Sequence, residues 1–135
     1  MSLRKQVSYN LWTVMDAANE YMPFLFTRDF RNCTVTLQVA SSFSGTIKFY
    51  ASNMDTQPDL NQTASATNFY STVKVINLMS GASIEGDTGF VAVGASDGFY
   101  RFEVNDNSNS RVGIKMTARA AGSVTVLNAS LADNS

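Results

Sequence analysis

At 135 residues with a formal net charge of −1, the chain is long enough to bury one core without metals or disulfides. It is 44% hydrophobic but only 16% charged, against about 25% for an average soluble domain, a balance that excludes a coiled coil and suits a turn-rich β protein. Lys and Arg are scattered singly apart from Arg4-Lys5, so no basic stripe awaits nucleic acid, and apolar runs such as Met22 to Phe26 are too short to cross a bilayer.

The first ten residues read as an extended arm of a single domain spanning 1–135, and they hold no apolar stretch of the length a secretion signal needs. Leu11 to Tyr21 suits either a short helix or a strand: Asp16 and Ala17-Ala18 permit a helical turn, whereas Trp12 and Val14 fit a strand. Cys33 has no second cysteine to pair with and sits in an alternating pattern, as a small buried residue would. From Thr34 to Val39, Val35, Leu37 and Val39 share one face and Thr34, Thr36 and Gln38 the other. Ser41 to Gly45 supplies turn chemistry, and Thr46 to Ala51 resumes the alternation, which together predict a hairpin.

Ser52 to Asn68 is polar, contains Pro58 and lacks periodicity, so a long surface connection is expected. A strand is expected at Phe69 to Leu78, another at Phe90 to Val93 and a third at Tyr100 to Val104. Glycine-containing turns precede the last two, and the Asn105 to Ser110 run follows. Val112, Ile114, Met116 and Ala118 then share a face, Ala120-Ala121-Gly122 marks a turn and Ser123 to Leu127 returns, a second predicted hairpin. About eight short strands with these turns predict an all-β, antiparallel, jelly-roll-like sandwich.

The chemistry available to such a domain is narrow. The sequence has no His and one Cys, which removes imidazole bases, nucleophile–His pairs and the usual zinc sites. Its glycines match neither the P-loop nor the dinucleotide fingerprint and read as turn residues. Asp55 with Asp59, or Glu85 with Asp87, are the nearest carboxylate pairs for a glycoside hydrolase, although solvated turn acids are the better account. Asp87, Asp97 and Asp106 lie in oxygen-rich loops without a calcium-loop pattern, so neither a required metal nor another cofactor is expected. Trp12, Tyr50, Tyr70 and Tyr100 are the candidates for stacking on a sugar. The sequons at Asn32, Asn61 and Asn128 carry little weight without a secretion signal.

Four segments, in order, carry a resemblance to a known group. They are Cys33-Thr34-Val35-Thr36-Leu37-Gln38-Val39, Ser44-Gly45-Thr46-Ile47-Lys48-Phe49-Tyr50-Ala51-Ser52, Phe99-Tyr100-Arg101-Phe102-Glu103-Val104, and the stretch from Ile114 to Val126 with its Ala120-Ala121-Gly122-Ser123-Val124-Thr125-Val126 close. From Phe24 to Ala132 the chain thereby resembles small jelly-roll structural proteins of tailed bacteriophages. It departs from them in having Met54 to Leu60 where a Trp often follows the first hairpin.

The resemblance implies a non-enzymatic virion component: a capsid decoration or cement protein foremost, otherwise a tail, neck or fibre accessory protein. It also implies sister subunits as partners, commonly in a homotrimer, and a major capsid protein or another virion protein as the surface bound. A carbohydrate-binding module facing a cell-surface sugar, and a carboxylate hydrolase, are the alternatives from other classes. Leu11, Trp12, Met22 and Phe24 are the candidate partner contacts, each weighed equally against packing within its own domain.

Overall fold

The computed structural model describes residues 6–104 and 109–133. Among the described residues nine antiparallel strands form: β1 (Gln6–Met15), β2 (Tyr21–Phe26), β3 (Asn32–Ser52), β4 (Ser71–Thr72), β5 (Val75–Asn77), β6 (Ala82–Ile84), β7 (Phe90–Ala95), β8 (Gly98–Val104) and β9 (Arg111–Ala132). The expected all-β antiparallel sandwich is what the sequence builds, with nine strands rather than about eight.

Its construction differs from the expectation in one main respect. Neither predicted hairpin forms: β3 and β9 are each one long strand, and they pair with each other from Asn32↔Ala132 to Ser52↔Arg111. The segments expected to reverse the chain instead bend it. Ser41 and Ser42 have φ of 60° and 56°, Gly122 has φ of 77°, and the register slips from Ala40↔Ser123 to Ser44↔Ala121. Three residues of β3 therefore span one of β9, a bulge that turns both strands through a corner.

At that corner a Cβ on Gly122 would lie 2.5 Å from Phe43 Cα and 2.6 Å from the Ala40 carbonyl oxygen, so no side chain fits. The Asp97 carboxylate accepts the Ser41 N–H at 2.9 Å, and Ser44 Oγ accepts the Gly94 N–H at 2.8 Å, which ties the corner to the β7–β8 turn.

The bent pair divides the sheet into two layers. One runs β1, the second half of β9, the first half of β3, β8, β5 and β6; the other places β2 on the first half of β9, with β7 and β4 along the far edge of β3. The layers close on one core in which Phe102 of β8 lies 5.3 Å from Phe49 of β3 and 5.0 Å from Phe90 of β7, ring centre to ring centre. Val35, Leu37, Val39, Ile47, Ile114, Met116, Val124 and Val126 fill the rest, and buried aromatic and branched side chains of this kind each contribute about 1.5–3 kcal/mol.

Three local readings are refined as well. Leu11 to Met15 completes β1, and residues 16–20 make a tight connection without a helix. The single strand expected at Phe69 to Leu78 is split into β4 and β5, which serve different neighbours, β3 and β8. Gln6 to Asn10 pair with Ala132 to Asn128, so from residue 6 onward the expected arm is the chain's own edge strand. Residues 1–5 of that arm, and 105–108 of the expected turn with Asp106, lie outside the described residues.

Candidate interaction surface

Among the described residues, the acids singled out by sequence have structural partners. Asp59 receives the Tyr21 hydroxyl at 3.3 Å and the Asn61 N–H at 2.9 Å, and burial together with that carboxylate raises the Tyr21 phenol above its ordinary range. Asp87 accepts from Thr72 at 2.8 Å, Glu85 lies 3.8 Å from Lys74, and the fully exposed Asp55 lies 3.9 Å from Arg28. Among the described residues no group of three His, Cys, Asp or Glu side chains converges as a metal site. Cys33 is fully buried, and burial pushes its thiol up to about 12, so it packs as a small apolar residue.

The polar connection between β3 and β4 is built rather than loose. Asn68 is its hub: its Oδ1 accepts the Asp59 N–H at 2.8 Å and its Nδ2 donates to the Asp59 carbonyl at 3.0 Å. Lys115 Nζ donates to the Leu60 carbonyl at 2.8 Å, and Arg111 donates to the Met54 and Asp55 carbonyls at 3.2 and 2.8 Å. Arg111 and Arg28 also lie over Phe26, 5.3 and 5.4 Å from its ring centre. These contacts lock the connection onto β9, since a hydrogen bond to a charged donor is worth about 1.5–3 kcal/mol.

The four residues proposed as partner contacts separate. Met22 and Phe24 are buried at 2% and 6% exposure, a correction with a plain cause: they share the inward face of β2, and the Phe24 ring lies over Gly113, where an added Cβ would come within 3.0 Å of it. Leu11 is half-buried and packs against the core. Only Trp12 stands free, 68% exposed.

Its exposure follows from backbone geometry. The register of β1 on β9 jumps from Asn10↔Asn128 to Thr13↔Val126, and Trp12 sits in that bulge with φ of 50°, a strained conformation for a bulky residue. The sugar-stacking candidates Tyr50, Tyr70 and Tyr100 are engaged elsewhere: Tyr50 meets Tyr70 edge-on at 5.5 Å, Tyr70 donates to the Gln62 carbonyl at 2.6 Å, and Tyr100 packs on Phe90.

Sequence reasoning singled out Trp12 but not Tyr9 and Val14 beside it on β1. Tyr9 is 41% exposed and Val14 54%, and among the described residues β1 pairs only with β9. Residues directly opposite in a ladder point to the same face. Val7 stands opposite Leu131 and Tyr9 opposite Ala129, and both of those partners are fully buried. The apolar face thus continues past the end of the core onto an open edge.

A second exposed apolar strip lies on β7, where Val91 and Val93 border an open groove of about 540 Å³ floored by Gly45, Thr46 and Ala118. A smaller groove of about 410 Å³ runs from Thr13 and Val14 past Glu20 and Tyr21 to Asn61. Among the described residues no helix is long and apolar enough to cross a membrane.

The chain is thus an open antiparallel sandwich with uncovered sheet edges. No family model matches it and no curated protein matches it by sequence. Among solved structures it is similar to the SPBc2 prophage-derived protein YomS, with a TM-score of 0.64 over 98% of this chain and 97% of that one, at 14% identity. The likeness is one of fold.

Proposed function

We propose that this chain is a non-enzymatic structural subunit of a bacteriophage particle, acting by adhesion to neighbouring protein subunits. The observation that carries the reading is the end-to-end likeness of fold to a prophage-derived protein. The open β1 edge, with Trp12, Tyr9 and Val14 exposed on it, supports an adhesive mode of action, because such an edge offers both backbone hydrogen bonds and apolar area to a partner.

Within that class capsid decoration is favoured over a tail, neck or fibre accessory role. The nine strands close on one core without a fibrous or helical extension among the described residues, a shape suited to repeated seats on a shell. Many weak seats add to firm attachment through effective concentration.

The test is to purify particles from an induced culture of the host carrying the gene and to quantify the chain in them by mass spectrometry. Decoration predicts a copy number that follows the shell protein. A number matching a single tail would reassign the position, and absence from particles would refute the structural role.

A further inference from the structure

We propose that β1 is a self-pairing edge: the Gln6–Asn10 segment of one copy adds antiparallel to the same segment of a second copy, joining two sandwiches through one continuous sheet. The inference deepens the adhesive reading above, on which it rests, by naming the surface and the partner.

The edges of this sandwich are not alike. β2 carries Pro23 within its six residues, which removes one backbone donor from the strand, and β6 has only three residues. β7 is six residues long and distorted at Gly94, where φ is +55°. β1 has ten residues without a charge or a proline, and its first five hold an unbroken register on β9, from Gln6↔Ala132 to Asn10↔Asn128, before the bulge at Trp12. Over Gln6 to Asn10 it has neither charge, proline nor bulge, the devices by which proteins protect a strand edge.

The occupant follows from the order of residues in that regular segment. Gln6-Val7-Ser8-Tyr9-Asn10 is the same in residue class read in either direction: amide, apolar, hydroxyl, apolar, amide. An antiparallel pair centred on Ser8 sets Gln6 opposite the partner's Asn10, Val7 opposite the partner's Tyr9, and Ser8 opposite itself on a twofold axis. Val7–Tyr9 is an aromatic and β-branched pair of the kind that stabilises a sheet, at about 0.2–1 kcal/mol each, and the twofold supplies it twice.

Those two side chains are also the ones that share the face of buried Leu131 and Ala129 while Tyr9 remains 41% exposed. The second copy therefore extends the apolar layer over residues that the first leaves half open. An isologous contact of this kind closes at two copies, in place of the homotrimer that the sequence resemblance implies.

The experiment is the mass of the full chain by light scattering through a dilution series, for wild type, Ser8→Lys, Ser8→Asp and an equimolar mixture of the two variants. Ser8 is exposed, so neither change disturbs the core. Wild type is expected at twice 14.7 kDa. Each variant alone sets like charges face to face and weakens pairing by about tenfold or more, and the mixture, with Lys opposite Asp, restores it.

A wild-type mass of one copy well above micromolar concentration, a three-copy mass, or a two-copy mass unmoved by Ser8→Lys would overturn the proposal. Loss of the dimer on Val93→Lys but not on Ser8→Lys would overturn it too, by moving the contact to β7. If Ser8→Lys fails to fold, Ser8→Cys decides instead, because the axis pairs the two sulfurs for oxidation and Cys33 is buried. The outcome is separate from that of the particle test: a monomer found in purified particles refutes self-pairing alone, and a dimer absent from particles refutes the structural role alone.

Discussion

Gly122→Ala tests the corner on which the whole sandwich turns. The substitution asks an L-residue to hold φ of 77°, at about 1–2 kcal/mol, and places a methyl carbon 2.5 Å from Phe43 Cα and 2.7 Å from its nitrogen. Those are backbone atoms of the paired strand and cannot rotate away, so an overpacking cost of about 1–3 kcal/mol is added. The sum, about 2–5 kcal/mol, is a large part of the 5–15 kcal/mol that holds a domain folded. Gly81→Ala is the control: φ is also +77° but nothing lies within 4 Å of the added carbon, so only the conformational cost of about 1–2 kcal/mol remains. Urea unfolding followed by far-UV circular dichroism measures both. A Gly122→Ala loss no greater than that of Gly81→Ala would refute the corner as a close-packed junction.

Three further outcomes are expected. Between pH 9 and 12 stability should fall, because the unfolded thiol of Cys33 ionises near 9 while the buried one is held neutral up to about 12; the stabilisation is complete below 9 and is lost as pH rises. Urea midpoints measured across that range should fall less steeply in Cys33→Ala, with burial of the Tyr50 phenol supplying part of the remaining slope. Asn68→Ala removes the bonds to both backbone groups of Asp59 and should cost about 1–3 kcal/mol, with limited proteolysis shifting to sites between residues 53 and 70. Trp12→Ala, at a side chain 68% exposed, should change stability by less than about 0.5 kcal/mol yet lower occupancy in particles; a loss of about 3–5 kcal/mol would mean that the indole is core after all.

Alternation marked the main strands, and it set Val35, Leu37 and Val39 on one face and Ile114 and Met116 on another, all of them buried in the structure. Connectivity was hidden. Serine and glycine at Ser41, Ser42 and Gly122 mark a place where backbone leaves the ordinary β region, and a reversal and a corner ask for the same residue types. What separates them is the partner across the ladder, and for Asn32 that partner is Ala132, at the far end of the chain. The split of Phe69 to Leu78 has a similar origin: the Val73 N–H is claimed by the Phe49 carbonyl in one layer and the Leu78 N–H by Arg101 in the other, which no local pattern records.

The surface was legible only in part, for the same reason. Met22 and Phe24 are two residues apart and share a face, but nothing in Tyr21 to Phe26 says that this face meets Gly113 rather than a neighbouring subunit. Gln6 to Asn10 read as part of an extended arm, and a solvated arm and a sheet edge with one wet face have the same composition. The difference is again the strand opposite: once Val7 and Tyr9 are set against buried Leu131 and Ala129, their side chains belong to the core face of a sheet that stops one strand short of covering them. An arm would gain order only by finding a partner, and would lose conformational entropy in doing so. Residues 6–10 are already held in register by β9, so most of that entropy is spent before a second strand arrives, which makes a preformed edge the stronger adhesive of the two.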